Sequence, residues 1–176
     1  MRNINHRGGL LVGQLGGLLF ALALTLAWGG ASAATPKVVI TNVKYELALD
    51  DKLPAVRDML IGALEARNYA IINQLNVQEG LKARGIDAPA LQLIEFCNLT
   101  KAYTITRHVP DFEMFAPCRI ALIEEGGKTV VMVLRPAFVL SLLALNPKLT
   151  TEGKESLEQF DRDLRELLNE VASGGL

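Results

Sequence analysis

Between Cys118 and Leu134 the chain commits itself to a β-sheet. Cys118 to Ile123 and Thr129 to Leu134 are apolar and rich in β-branched residues, and Glu124-Glu125-Gly126-Gly127-Lys128 joins them. Two successive glycines supply the positive φ of a tight hairpin turn, so the two segments are predicted to pair antiparallel. Gly127-Lys128-Thr129 resembles the end of a phosphate loop, but Leu122 stands where that loop needs its first glycine and the segment feeds a strand. It is read as a turn.

The remaining elements follow from periodicity. Lys37 to Leu49 alternates, with Val39, Val43, Tyr45 and Leu47 on one side and Asn42, Lys44 and Glu46 on the other, as a half-buried strand requires. Asp50 or Asp51 is the expected cap of the next helix, Pro54 suits its first turn, and Val56, Met59, Leu60, Ala63 and Leu64 recur at helical spacing. Tyr69 to Leu75 reads as a second strand, Val77 to Arg84 as a short helix closed by Gly85, and Leu91 to Cys97 as a third strand. A strand, a helix and another strand make a crossover unit, so the first two strands are expected to be parallel or at least in one sheet. Asn98 caps a helix through Leu99, Ala102 and Tyr103 that fades near His108 and Pro110, and a polar loop with Asp111 and Glu113 follows. Pro136 to Leu145 is a short apolar helix, and Leu157, Phe160, Leu164, Leu167, Leu168 and Val171 form the buried stripe of a longer last helix. The reading is α+β: a single compact domain with a mixed sheet of about five strands packed by helices, in the order β-α-β-α-β-α-β-β-α-α.

The first residues belong to a different kind of segment. Arg2, His6 and Arg7 precede an apolar run from Leu10 to Trp28 that ends in small residues, and Ala31-Ser32-Ala33 suits cleavage before Ala34. Residues 1–33 are therefore read as a secretory signal peptide and 34–176 as the domain, which places the protein in the periplasm or outside the cell. The run is close to the length that spans a bilayer, so an uncleaved anchor is the alternative, and a membrane is a partner only in that case. Removing residues 1–33 leaves 16 basic against 19 acidic residues and no basic cluster. No nucleic-acid partner is expected, since such binding relies on several cations neutralising phosphates.

Two cysteines in an exported chain have a disulfide as their default fate. Cys97 ends a strand and Cys118 begins one, so a sheet that sets those strands side by side brings both thiols to one edge. The residues leave three readings open: a structural disulfide, a redox-active pair, or free or buried thiols. The second draws on Cys97 preceding a helix N-terminus, where the dipole favours thiolate. Cys97, His108 and Cys118, with Asp111 or Glu113, are the weaker alternative of a metal site, but their spacing fits no compact metal motif and no cofactor is expected. No Cys-x-x-Cys-His occurs, which excludes c-type haem. Asn98-Leu99-Thr100 is formally a glycosylation sequon whose asparagine is better explained as a cap. Arg119 and Arg135 are placed at the start and end of the hairpin strands, where each can clamp an anion or pair with an acid such as Glu95. Val139, Leu142 and Leu143 are apolar enough to cover the sheet or to meet a second copy.

Across roughly Tyr69 to Leu134 the chain resembles domain-of-unknown-function family 302. The resemblance rests on Leu93-Ile94-Glu95-Phe96-Cys97-Asn98, a helix, and then Phe115-Ala116-Pro117-Cys118-Arg119-Ile120 running into a Gly-Gly-Lys hairpin. It implies a compact α+β domain, homodimeric in many members, often exported, with no established catalytic activity. The family's Asn-Pro or Asn-Ala after the cysteine is Asn98-Leu99 here. The combined expectation is an exported binding or accessory protein rather than an enzyme, acting as a homodimer. Its site is placed at the Cys97, Asn98, Pro117, Cys118 and Arg119 edge, where a capped helix start and a cation favour a small anionic ligand. The alternatives are a thiol-dependent redox accessory protein, in which Cys97 attacks and Cys118 resolves, and a structural protein stapled by a disulfide.

Overall fold

Residues 35–174 are described by the computed structural model. The expected signal peptide, its cleavage site and its alternative as an anchor lie outside the described residues. Strands β1 (Val39–Ile40) and β2 (Lys44–Leu49) come first, then helix α1 (Leu53–Ala66), β3 (Ala70–Asn76), α2 (Val77–Lys82) and β4 (Leu91–Cys97). Helix α3 (Leu99–Thr106) leads through a 3-10 turn at Pro110–Met114 to the hairpin β5 (Cys118–Glu125) and β6 (Lys128–Leu134), and α4 (Pro136–Leu143) and α5 (Thr151–Ser173) close the chain. Among the described residues no helix is long and apolar enough to cross a membrane.

The hairpin forms as its turn residues require. Glu125 pairs with Lys128 across Gly126 and Gly127, whose φ values are 58° and 80°. The sheet has six strands in the order β1-β2-β6-β5-β4-β3. The sixth arises inside the first alternating stretch: the Thr41 hydroxyl accepts from Val43 N at 3.2 Å and Lys44 N at 3.0 Å, a side-chain turn that folds β1 back onto β2. Every neighbouring pair is antiparallel, so the sheet is not mixed. The two strands of the expected crossover do point the same way, but β2 and β3 have β6, β5 and β4 between them. Helix α1 carries the chain across the sheet and leaves room for the later strands. Its N-cap is Lys52 with no side-chain bond, rather than Asp50 or Asp51. Asp50 instead pairs with Lys128, and the Asp51 carbonyl accepts from the buried Thr129 hydroxyl at 2.8 Å.

One sheet face is the core. Tyr45, Leu47, Ile94, Phe96, Ile120, Leu122, Val131 and Val133 are buried against Val56, Leu60 and Leu64 of α1 and Leu164, Leu167 and Leu168 of α5. Each such side chain contributes about 1.5–3 kcal/mol relative to exposure. A second apolar cluster joins Ile105 and Val109 behind α3, Phe112 of the 3-10 turn, Val139 and Leu143 of α4, and Leu157 of α5. Val139 and Leu143 of α4 are buried in this second cluster and not in the sheet-face core, while Leu142 faces outward, 51% exposed.

An ionic clasp ties the two clusters together. Asp161 on α5 accepts from Arg135 Nη2 at 3.0 Å, from the Tyr45 hydroxyl at 2.8 Å and from Ala137 N at 3.1 Å. Through Ala137 it caps α4, which has no cap of its own. Arg135 also donates to the Thr41 carbonyl at 2.8 Å and lies 5.0 Å from the centre of the Tyr45 ring.

Candidate functional site

Each predicted site residue sits at the end of the sheet where β4 stops and β5 starts. Asn98 is the N-cap of α3, its side chain accepting from Lys101 N at 3.1 Å. Pro117 follows a cis peptide from Ala116. Arg119 lies opposite Glu95 and donates to Glu95 Oε1 from Nη2 at 2.9 Å and from Nε at 3.2 Å. The acid partner named from sequence is thus the one the fold supplies. Arg119 remains exposed and open to further contact.

The cysteines correct the first reading. Both are free thiols. Cys118 stands opposite Phe96, not Cys97, and Cys97 stands opposite Ala70 on β3. Because successive side chains of a pleated strand point to opposite faces, the register offsets the two sulfurs and no bridge closes. At Cys97 the pull of the helix dipole toward thiolate is opposed by the surroundings. Burial raises its pKa, and the nearby Glu113 carboxylate adds to the rise. Cys118 is pushed up to about 12, by burial first and then by Cys97. Near neutral pH both groups are protonated and apolar in character, so an attacking thiolate is not what this environment favours.

The weaker metal alternative is not assembled either. His108 is exposed beyond the end of α3, while Cys118 is half-buried at the start of β5. Among the described residues no group of three or more His, Cys, Asp or Glu side chains is placed to hold a metal ion. Asp111 is exposed, and Glu113 accepts from the Thr106 hydroxyl at 2.6 Å.

What the fold builds at this edge is space. A cleft of about 480 Å³ opens where β5 begins and β6 ends. Pro117, Cys118 and Arg119 line it, as do Ala121, Met132 and Leu134 from the strands and Met114 and Phe115 from the 3-10 segment. Pro136 and Val139 of α4 and Leu157 and Phe160 of α5 complete the wall. Its lining is mainly apolar, and Lys44 and Arg119 are its cations. Lys44 is paired with Glu46 and approaches Met132 Sδ at 3.3 Å. Beside the cleft lies a smaller hollow of about 30 Å³ touched by both cysteines. Its aromatic wall comes from Tyr69 and Phe160, whose ring centres are 5.6 Å apart, with Phe96 packed edge-on to Tyr69 at 5.7 Å.

Of the residues at which sequence reasoning placed a small pocket or groove, Pro117, Cys118 and Arg119 line this cleft, whereas Cys97 and Asn98 line the smaller hollow beside it. Sequence reasoning missed Ala121, Met132 and Leu134, whose one local signal is the outward phase of the hairpin strands, and Phe115, which precedes the hairpin. It also missed Asp161, which no local pattern distinguishes from the other acids on α5.

The family described as Domain of unknown function DUF302 matches residues 45–170. An uncharacterized protein of Aquifex aeolicus (strain VF5) is 31% identical over 121 residues, covering 68% of this chain and 76% of that protein. The crystal structure of an uncharacterized conserved DUF302 protein from Bacillus stearothermophilus superposes with a TM-score of 0.63 at 19% identity. That match covers 71% of this chain and 94% of the other, and it is a likeness of fold.

Proposed function

The chain belongs to the DUF302 family, and from that premise and the shape of its site we propose that it is a small-molecule binding domain, exported, whose ligand lies in the cleft between the start of β5 and the end of β6. One observation carries the reading. The cleft's volume, about 480 Å³, falls within the range of small-molecule sites, and an apolar wall with a few polar groups at its margin is their usual chemistry. Two protonated thiols favour binding over thiol redox chemistry. Export rests on the basic and then apolar pattern of residues 2–28 and the small residues before Ala34.

The test is titration with 8-anilinonaphthalene-1-sulfonate, an apolar fluorophore bearing one negative charge. Saturable enhancement is expected with the native protein. Ala121→Trp, which fills the cleft from the open side of β5, is expected to abolish it while leaving the thermal midpoint within a few degrees. No saturable binding to the native protein, or equal binding to Ala121→Trp, would overturn the reading. Self-association is a second reading, favoured by Leu142 and Leu145, which are 51% and 92% exposed next to the cleft-lining side of α4. Light scattering after size exclusion reports it directly: a single protomer mass at micromolar concentration removes it.

A further inference from the structure

The following rests on the binding reading above and carries it to a class of ligand. Three hollows converge on Ala116. The cleft shares Phe112, Cys118 and Phe160 with the inner hollow, and the inner hollow shares Cys97 and Ala102 with a third, of about 240 Å³, on the outer side of α3. Ala116 lines all three. The partitions are apolar throughout: Phe112, Ala116, Cys118 and Phe160 toward the cleft, and Cys97, Ala102 and Ala116 toward the outer hollow, the thiols when protonated behaving as small apolar groups. Of the polar groups along this path, Asn98 is engaged in capping α3, Lys101 with Asp163 at 3.3 Å and Glu113 with the Thr106 hydroxyl at 2.6 Å. By contrast, Arg119 and Lys44 stand at the margin of the cleft, and both are solvent-accessible. The sheet fixes the distance between the two ends. Arg119 is opposite Glu95, and Cys97 is two residues further along β4, so Arg119 and Cys97 backbones lie about 8 Å apart.

We propose that the ligand is a single-chain amphiphile with an anionic head, in chemistry a long-chain carboxylate. Its head pairs with Arg119 and Lys44 in the cleft, and its chain runs past Ala116 toward Cys97. Charge complementarity selects the head, since a carboxylate completes the guanidinium's donor set beside Glu95. The chain takes the apolar route because each methylene gains by leaving water.

The experiment displaces the anilinonaphthalene probe with straight-chain carboxylates from hexanoate to dodecanoate, using the protein as it is. Affinity is expected to rise about threefold to fourfold per methylene, the factor for burying one. Ala116→Leu is expected to flatten the rise of affinity with chain length. Because that substitution precedes Pro117 and can disturb folding, a second readout uses the unaltered protein. Alkylation of Cys97 by N-ethylmaleimide, followed by mass spectrometry, is expected to slow at least fivefold with saturating dodecanoate and not with saturating acetate, which has the head and no chain. An affinity that does not change with chain length, or Cys97 unprotected by dodecanoate, overturns the path while the probe still binds. Dodecanol binding as tightly as dodecanoate overturns the head assignment. Failure of the probe itself to bind overturns the underlying reading instead.

Discussion

Removing the Asp161 carboxylate is expected to cost the domain about 3 kcal/mol and to loosen the cleft with it. The side chain is 15% exposed and that of its partner Arg135 is 20% exposed, so the pair is only partly screened by water. Asp161→Ala removes the carboxylate from three donors: Ala137 N, the Tyr45 hydroxyl, which keeps only the Asp161 carbonyl at 3.3 Å, and the Arg135 guanidinium, which keeps the Thr41 carbonyl. At about 1 kcal/mol for each donor left in a partly buried site the sum is near 3 kcal/mol, a drop of roughly 10 °C in midpoint for a domain of this size. Asp161→Asn retains one carbonyl acceptor and is expected to lose about half as much. The pH dependence has a definite sign. Burial alone would raise the Asp161 pKa, but the bonds from Arg135, Ala137 and Tyr45 outweigh it and the value is lowered. A carboxyl with a depressed folded pKa contributes stability above its unfolded value, near 4, and loses it as pH falls through the folded value. The gap between wild type and Asp161→Ala is therefore expected to be full at pH 7 and to narrow below about pH 4. Urea unfolding followed by circular dichroism measures it. A difference below about 0.5 kcal/mol at pH 7, or one that persists unchanged into acid, would refute the clasp as the link between α4, α5 and β2.

Three further outcomes follow from the same geometry. Cys97 should react with maleimides about tenfold faster per pH unit from pH 7 to 8.5, because burial and Glu113 raise its pKa and only thiolate reacts; stopped-flow absorbance measures this, and a rate flat across that range would contradict the raised pKa. Gly127→Val should destabilise the hairpin by about 1–2 kcal/mol in a urea melt, since φ is 80° there and a β-branched side chain is strained at positive φ. Arg119→Ala should change stability by less than about 1 kcal/mol, because its pair with Glu95 is exposed, yet weaken an anionic probe at least fivefold in the same fluorescence titration; equal losses in both would mark the arginine as structural.

Legibility in the sequence tracks how local each determinant is. Asn98 is readable as a cap because capping is decided within three residues, and Gly126-Gly127 is readable as a turn for the same reason. The Glu95–Arg119 pair was reachable because β4 and β5 both have clean ends. The break at Thr41 was not, since the alternation continues through it and only the hydroxyl's two bonds reveal the turn. Strand order was hidden because α1 can return the chain to either side of a sheet whose other strands come later. The cysteines mislead most: adjacency of strands was right, but register, which a single residue shifts, decides whether two thiols meet. The cleft was illegible because Phe115, Met132, Val139 and Leu157 come from four separate elements or connections.

The most direct test of a ligand cleft at the β5 and β6 end is amide chemical-shift mapping with decanoate. Saturable shifts confined to residues around Phe115, Arg119, Ala121, Met132, Leu134 and Val139 are predicted. Shifts that never saturate, or that gather at the opposite end of the hairpin around Gly126 and Lys128, would contradict it.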